Sequence, residues 1–238
     1  MTMRDLSDYR QQVVSACAAL GRSGVLSLSG HANFSVRVPG MDAMLLTNQA
    51  SLRDSVRPET LALIALDGTI LEGSIDPNSA EIIFMHAVVY QHRPEVGSVV
   101  HTHSPMATSF AVASQAVPVV YESQVRFGMT DGIPVAGYGP RGSQLAVDNI
   151  SAVLRAHQGA KAMLLANHGV LAFADSALNA TRAAVAIEET AIVALHARVL
   201  GGAQPIPAEL LAMTQSRAVE FERQGTLTAA QVARTEVR

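Results

Sequence analysis

The chain has 238 residues and a formal net charge of −3, and its composition is 49% hydrophobic against only 16% charged. High hydrophobicity with low charge excludes a disordered chain, and without a Lys/Arg cluster nucleic-acid binding is disfavoured. No apolar stretch reaches the roughly 18 residues that a membrane span needs. The only cysteine, Cys17, excludes an intramolecular disulfide and favours a cytoplasmic protein. So few charged residues also predict apolar surface buried between copies, hence an oligomer.

Hydrophobic periodicity and turn residues predict interleaved helices and strands. In the first half of the chain these are a helix over Leu6–Gly21, strands over Asn33–Val38 and Met44–Thr47, a hairpin of Leu61–Leu66 and Thr69–Leu71 joined by Asp67-Gly68, and a helix from Asp76 to Arg93. The Asp-Gly pair is typical of a hairpin turn because it tolerates positive φ.

The second half of the chain continues in the same manner. Its predicted elements are a strand over Val96–His103, a short helix over Pro105–Val112, strands over Val117–Tyr121 and Ile133–Ala136, a helix over Ser143–His157, strands over Ala162–Ala166 and Val170–Phe173, a long helix over Ser176–Leu200, and a helix after Pro205 with a polar tail ending near Arg238. Because strands and helices do not alternate strictly, we expect a layered α/β fold with a mixed sheet, as one domain over residues 1–238.

Two histidines provide the first chemical feature. His101 and His103 follow the apolar run Val96–Val100 at the end of a predicted strand. Alternate residues of a strand project from one face, so both imidazoles are placed to bind one metal ion. Two surface histidines would give the same pattern. His168 follows the apolar strand Ala162–Ala166, where open sheets place ligands; alone it is better explained as a structural histidine, but a third imidazole would complete a catalytic zinc site.

Glu81 is a candidate general base at the start of a predicted helix. Its spacing from Asn78 also fits a capping box, in which the glutamate simply bonds to the Asn78 backbone. His86 lies one residue beyond i+4 from Glu81 and is predicted to point elsewhere. Glu188 and Glu189, on the long helix, are predicted to form a solvated face or a subunit contact.

Four features occur in a fixed order along the chain: Ala32-Asn33-Phe34-Ser35, then Glu81, then His101/His103, then Asn167-His168-Gly169. Together they resemble the class II aldolase/adducin family, over about Leu6 to Gly201. The resemblance implies a three-layer α/β/α sandwich with a central, largely antiparallel mixed sheet. It implies a homotetramer with active sites between subunits. It further implies a divalent metal, Zn²⁺ before Mn²⁺, Co²⁺ or Fe²⁺, held by His101, His103 and His168, with Glu81 as the acid/base. Related sugar-phosphate epimerases have an aspartate at that place, so the glutamate favours aldol chemistry.

The chain departs from family members that bind a sugar phosphate through a T-P-S-G turn and a serine pair. Here the turn reads Thr47-Asn48-Gln49-Ala50 and the pair reads Ser79-Ala80. A phosphate needs several converging donors, so we expect a small non-phosphorylated hydroxy-carbonyl or hydroxy-acid substrate. The residues predicted to bind it are Asn33, Ser35, His31, Thr47 and Ser79.

Two further assignments complete the predicted site. Arg126 or Arg141 is a candidate partner for a substrate carboxylate. Tyr121 lies near the place where aldolases carry a lid tyrosine, one position off, and is a candidate catalytic proton donor.

The sequence therefore predicts a metal-dependent lyase that forms or cleaves a C–C bond beside a carbonyl through a metal-stabilised enolate or enediolate. The alternative is a metal-dependent decarboxylase of a keto or hydroxyaromatic acid on the same fold, since loss of CO₂ leaves the same enolate. An adducin-like interaction module needs no three-histidine set, and a cupin barrel would need a glutamate shortly after the histidine pair.

Overall fold

The computed structural model describes residues 3–49, 51–52 and 56–224, and its strands form one eight-stranded sheet. The strands are β1 (Ala32–Val38), β2 (Ala43–Thr47), β3 (Leu61–Ala65), β4 (Ile70–Glu72), β5 (Ser98–Thr102), β6 (Val135–Ala136), β7 (Ala162–Leu165) and β8 (Gly169–Ala174). Their spatial order is β4-β3-β2-β1-β5-β8-β7-β6. Only β6 and β7 pair in parallel, and the other pairs are antiparallel. The prediction of a mixed, largely antiparallel sheet is confirmed.

Helices cover both faces of the sheet. They are α1 (Met3–Arg22), α2 (Pro77–Ala80), α3 (Ile83–His92), α4 (Pro105–Val112), α5 (Glu122–Arg126), α6 (Gln144–Ala156), α7 (Ala177–Val199) and α8 (Ala208–Gln224). Strand residues alternate between two apolar cores: Leu45 and Val100 pack with residues of α1, α4 and α7, whereas Met44 and Val99 pack with residues of α3 and α6. Each such side chain contributes roughly 1.5–3 kcal/mol by burial. The three-layer α/β/α prediction is confirmed.

The predicted helix from Asp76 to Arg93 is divided in two. The N-cap is Asp76, whose carboxylate accepts from the Asn78 amide at 2.8 Å, and Pro77 occupies the first turn. The predicted capping box between Asn78 and Glu81 is therefore wrong. The Ile82 amide bonds back to the Ser79 carbonyl at 3.2 Å, three residues earlier. This tight turn leaves Glu81 at the joint between α2 and α3, with its side chain free to pair elsewhere.

The predicted strand over Val117–Tyr121 is wrong, and the strand over Ile133–Ala136 is reduced to β6. Val117 and Ile133 form an isolated bridge through two backbone hydrogen bonds of 3.2 and 3.0 Å. Pro118 and Pro134 follow these residues directly, and a proline has no amide to extend a ladder. Sequence periodicity also missed α5. Ala50 and the tail ending at Arg238 lie outside the described residues.

No helix within the described ranges combines the length and apolar composition that a membrane crossing requires.

Candidate metal centre and active site

Four imidazoles meet where β5 ends. His101 is the fourth residue of β5, His103 follows the strand, His168 lies in the turn between β7 and β8, and His31 directly precedes β1. Ring centroids of His101 and His103 are 5.0 Å apart, those of His101 and His168 are 4.7 Å apart, and those of His103 and His168 are 5.0 Å apart. The structure therefore brings together the three predicted ligands, although they are distant along the chain.

The turn that carries His168 is tight because of the residues beside it. Asn167 has φ +56°, in the left-handed region that asparagine tolerates better than most residues. Gly169 packs directly on β5: a Cβ there would lie 2.5 Å from the Thr102 carbonyl oxygen and 2.9 Å from the His103 ring. Only glycine permits this approach. The Asn-His-Gly segment is thus the local reason that His168 reaches the other rings.

The hydrogen bonding leaves ring nitrogens ready for a ligand. His101 donates from Nδ1 to the Val170 carbonyl oxygen at 2.8 Å, so its Nε2 carries the lone pair. Nε2 of His101 and Nε2 of His103 are buried and have no hydrogen-bond partner in the described parts of the chain. Buried polar atoms without a partner are costly, and a metal ion bound to both would satisfy them. The donor set fits a divalent ion such as zinc.

Electrostatics keeps these rings neutral, which is the form that binds metal. Burial, with smaller contributions from neighbouring cationic groups, lowers the pKa of His103 to about 3 and that of His168 to about 4. The pKa of His101 is lowered well below its usual value by burial and by the other two imidazoles. Burial and the charge of Arg141 also lower the pKa of His31.

His31 is a fourth ring whose orientation differs from the others. Its ring nitrogen and those of His101 and His103 lie within 4.8 Å of one another. However, His31 stacks on His103 with centroids 4.1 Å apart and planes 22° apart. An imidazole binds metal in its ring plane, and two nearly parallel planes meet far beyond the ~2.1 Å of a zinc–nitrogen bond. The planes of His101, His103 and His168 cross at 83°, 59° and 75°, so no two of these three rings are stacked on each other. His168 is nevertheless not part of the set of nitrogens that lie within 4.8 Å of one another in the described parts of the chain.

Glu81 stands beside this cluster and pairs with an arginine. Its Oε2 lies 3.1 Å from Arg141 Nε, and Arg141 Nη2 donates to the Asn78 carbonyl. Gly142, at φ +74°, packs on Glu81 so closely that a Cβ would lie 3.1 Å from the Glu81 Cβ. Glu81, Arg141 and His168 line one pocket of about 540 Å³, including its open mouth. Sequence reasoning missed the pairing of Glu81 with Arg141.

Two of the predicted substrate-binding residues belong to a buried network. Asn33 Oδ1 accepts from His86 Nε2 at 2.6 Å, so His86 Nδ1 accepts from the Ser35 hydroxyl at 2.8 Å, and Tyr90 donates its hydroxyl to Ser35 at 2.8 Å. Ser35 is thereby engaged inside the protein. Asn33 differs: it lies opposite His101 in the β1–β5 register, and its buried Nδ2 has no partner within the described ranges. Asn33 keeps a donor beside the histidines.

The remaining predicted site residues are spread more widely. Ser79 is fully buried, and its hydroxyl has no partner among the described residues. Thr47 accepts from the Phe34 amide at 3.1 Å and lines a different cavity, with Asn48 and Arg57. Tyr121 is 36% exposed at the start of α5 and lines neither cavity.

Arg126, the other candidate for a substrate carboxylate, is not at the histidine site. It lines a separate cavity with Glu95, Lys161 and Asp175, beside the end of β8 that is remote from His168. Of the two arginines, only Arg141 reaches the pocket of Glu81.

Comparison with known proteins shows the family to which the chain belongs. Residues 11–195 match the class II aldolase and adducin N-terminal domain family. The chain is 33% identical to a 5-methylthioribulose-1-phosphate/5-deoxyribulose-1-phosphate aldolase of Rhodospirillum rubrum, over 78% of this chain and 76% of that protein. It is 27% identical to an L-ribulose-5-phosphate 4-epimerase of Salmonella paratyphi A, over 84% of this chain and 90% of the relative.

A solved structure shows the same fold. An L-fuculose 1-phosphate aldolase superimposes with a TM-score of 0.79 at 24% identity, over 90% of this chain and 97% of that one. The chain belongs to the class II aldolase and adducin N-terminal domain family, and it is an aldolase-type lyase.

Proposed function

We propose that this protein forms or cleaves a C–C bond beside a carbonyl, with a divalent metal, zinc first, held by His101, His103 and His168 and with Glu81 as acid/base. The observation that carries the proposal is the pair of buried Nε2 atoms without partners, on His101 and His103, with the His168 ring crossing both planes. When bound, the metal supplies a Lewis acid that stabilises negative charge on the substrate oxygen.

The protein's own residues supply the proton transfers. In the aldol direction Glu81 takes a proton from the carbon beside the donor carbonyl, and the resulting enolate carbon attacks an aldehyde. The new alkoxide then needs a proton. Tyr121 remains our candidate for that step, and since it does not line the Glu81 pocket within one chain, it would act from a neighbouring copy. Arg141 holds the Glu81 carboxylate by its 3.1 Å contact and orients it.

We propose a small non-phosphorylated substrate. The relatives named above act on sugar phosphates, but this chain has Ala80 in place of the second serine of their pair. Thr47 uses its hydroxyl to accept from the Phe34 amide. The proton of that hydroxyl stays available to donate, so the proposal rests on Ala80, which supplies no side-chain donor to a phosphate dianion. We also propose a single domain over residues 1–238, a cytoplasmic location and a homotetramer.

Metal analysis of histidine variants tests the site. We expect His168→Ala to lose bound zinc and activity, because the third convergent ring is gone. His31→Ala is the matched control: it should retain zinc, since its stacked ring does not share an ion with His103. Zinc is measured by elemental analysis and by competition with a chromogenic chelator. Loss of zinc from the His31 variant alone would contradict the ligand assignment.

An acid/base role for Glu81 is tested separately. Glu81→Gln preserves shape and should lower kcat by about 10²–10⁴-fold without loss of zinc. Full activity in this variant, or in metal-free protein, would overturn the proposed mechanism.

The decarboxylase remains the second candidate, because the Glu81 pocket has apolar walls from residues such as Phe84, Val147 and Ile150, which suit an aromatic acid. Release of CO₂ from a keto or hydroxyaromatic acid without an aldehyde acceptor would favour it. Formation of a new C–C bond from pyruvate or glycolaldehyde with an aldehyde favours the aldolase.

A further inference from the structure

Arg141 is the cationic side chain of the Glu81 pocket. Its guanidinium contacts Glu81 through Nε and the Asn78 carbonyl through Nη2. Nη1 makes no hydrogen bond within the described residues, and the side chain is one-third exposed. Arg141 thus has a free donor group at the mouth of the pocket.

The loop that carries Arg141 is held in place. Asn149 donates from Nδ2 to the carbonyls of Gly137 and Tyr138 at 3.0 and 3.1 Å. A Cβ on Gly139 would lie 2.5 Å from the Ala146 amide nitrogen, so the loop backbone packs directly on α6. Ser143 then caps α6 by accepting from the Ala146 amide at 3.2 Å. The guanidinium is therefore positioned before a ligand arrives, which lowers the cost of binding.

The charges around the histidines favour an anionic ligand. His101, His103 and His168 are neutral, so they leave the charge of a bound divalent ion uncompensated. Arg141 lines the same pocket as His168. Glu81 provides one negative charge, already paired with Arg141. With a divalent ion bound, the site is strongly positive and lacks an anion.

We propose, resting on the proposed function, that Arg141 binds the carboxylate of the substrate and that the enzyme acts on 4-hydroxy-2-oxo acids, with a 2-oxo acid as the donor. In a 2-oxo acid the carboxylate is bonded to the carbonyl carbon. Glu81, Arg141 and His168 line one pocket. The proposal requires that, with the carbonyl oxygen at the histidine cluster, the carboxylate lies beside Arg141 and the next carbon lies towards Glu81. The free Nη1 of Arg141 can donate to the substrate carboxylate in a charge-assisted hydrogen bond.

The cleavage reaction balances without a redox partner. The proton of the C4 hydroxyl is removed, the C3–C4 bond breaks, and C4 leaves as an aldehyde. The electron pair of the broken bond forms the C2–C3 enolate, and a proton returned to C3 gives the 2-oxo acid. The apolar pocket walls, Ile82, Phe84, Val147 and Ile150, suit an aldehyde with an apolar body.

The test compares donors and arginine variants of the zinc-loaded enzyme. Binding of oxamate, a stable mimic of the pyruvate enolate, is measured by calorimetry, and turnover is measured with pyruvate, with neutral hydroxyacetone and with dihydroxyacetone phosphate. Arg141→Met keeps the length of the side chain and removes the charge, Arg141→Lys keeps one charge, and Arg126→Met is the matched control at the remote cavity.

We expect Arg141→Met to weaken oxamate binding and to raise the pyruvate KM by about 10–100-fold, with zinc content unchanged. The kcat should fall by the same factor for pyruvate and hydroxyacetone, because Glu81 loses the partner that orients it, whereas the hydroxyacetone KM should stay the same. Arg141→Lys should fall between, and Arg126→Met should match the wild type. Equal oxamate binding in wild type and Arg141→Met would overturn the proposal. A preference for dihydroxyacetone phosphate that disappears in Arg141→Met would also overturn it, because the anion bound would be a phosphate.

Two outcomes distinguish a failure of the carboxylate assignment from a failure of the proposed lyase reaction. Turnover of hydroxyacetone without oxamate binding leaves the lyase standing and refutes the carboxylate assignment. Oxamate binding that depends on Arg141, with no C–C bond formed from any donor, supports the carboxylate site and refutes the proposed lyase reaction.

Discussion

His86 shows how little the neighbours in sequence indicate about the surroundings of a single side chain. The prediction that it points away from Glu81 agrees with the structure, but nothing in the sequence indicated that it is fully buried and bonded to both Asn33 and Ser35. Burial lowers the pKa of His86 to about 3. Between about pH 3 and its ordinary pKa of 6.5, the ring is therefore neutral in the folded protein and protonated in the unfolded chain.

His86 makes stability depend on pH with a defined sign. Below its unfolded pKa of about 6.5 the unfolded chain binds a proton that the folded chain does not, so the free energy of unfolding falls as the pH drops towards 3. We expect a loss of about 2 kcal/mol from this residue between pH 7.5 and 5.0, and full stability from it above pH 6.5. Urea denaturation of metal-free protein at both pH values measures the loss.

His86→Gln is the control for that measurement. It retains polar atoms in the network but does not titrate, so its stability should change less with pH than that of the wild type. The other buried histidines contribute equally to both proteins. Identical pH dependence would show that His86 is not the source.

At the residue scale, the sequence was enough to predict the relative orientation of side chains within one strand, but not which side chains from distant segments pair with each other. His101 and His103 share a face because alternation is a property of any strand. The ion pair of Glu81 with Arg141 depends on a loop that reaches it only through tertiary packing. The capping-box hypothesis for Glu81 failed because Asp76, two residues before Asn78, supplies the N-cap instead.

Helix α4 directly follows His101 and His103 in the chain, and a side chain of α7 caps the N-terminus of α4. Glu188 of α7 accepts from the Met106 and Ala107 amides at 2.9 Å each. Those amides belong to the first turn of α4, where helices lack internal acceptors. Of the two predicted roles, a solvated face or a subunit contact, the solvated face is wrong for Glu188: the residue is 4% exposed, and burial raises the pKa of its carboxyl. Helical periodicity alone could not show which neighbour covers that face of α7.

Removing this cap should weaken both the fold and the metal site. Glu188→Ala leaves two buried amides without an acceptor, and we expect a loss of about 1–3 kcal/mol in the free energy of unfolding. Since α4 begins two residues after His103, zinc affinity should fall about tenfold. Chemical denaturation and zinc competition measure the two effects. Glu189→Ala, on the exposed side of the same helix, should change neither, and equal effects of both substitutions would contradict this role.

At the scale of the whole molecule, the homotetramer that we propose would supply from a second copy the proton donor that the Glu81 pocket of one chain lacks. Tyr121 is the one predicted catalytic residue that does not line the Glu81 pocket, and it is partly exposed. The family resemblance implies that the active sites lie between subunits. The low charged fraction of the chain also predicts buried contact surface. No property of an isolated sequence reveals which neighbour completes the site.

Mixing inactive variants tests this arrangement. We expect a mass near 100 kDa by light scattering, four chains of 25.0 kDa each. Glu81→Gln and Tyr121→Phe should each be strongly impaired alone. Co-expressed, they should regain activity in up to about a quarter of the sites, where an intact Glu81 meets an intact Tyr121 from another copy. Failure to regain activity, with mixed tetramers demonstrated by mass spectrometry, would mean that Tyr121 does not act across an interface.

The turn between β7 and β8 has a kinetic consequence. The backbone of His168 is held between Asn167, in the left-handed region, and Gly169, which packs against the Thr102 carbonyl. We therefore expect His168 to move only together with the β7–β8 hairpin. A metal ion bound as we propose would then not be released by movement of the His168 side chain alone. Removal of zinc by a chelator should instead be slow. It should accelerate in mild denaturant, when the β7–β8 hairpin opens as a unit.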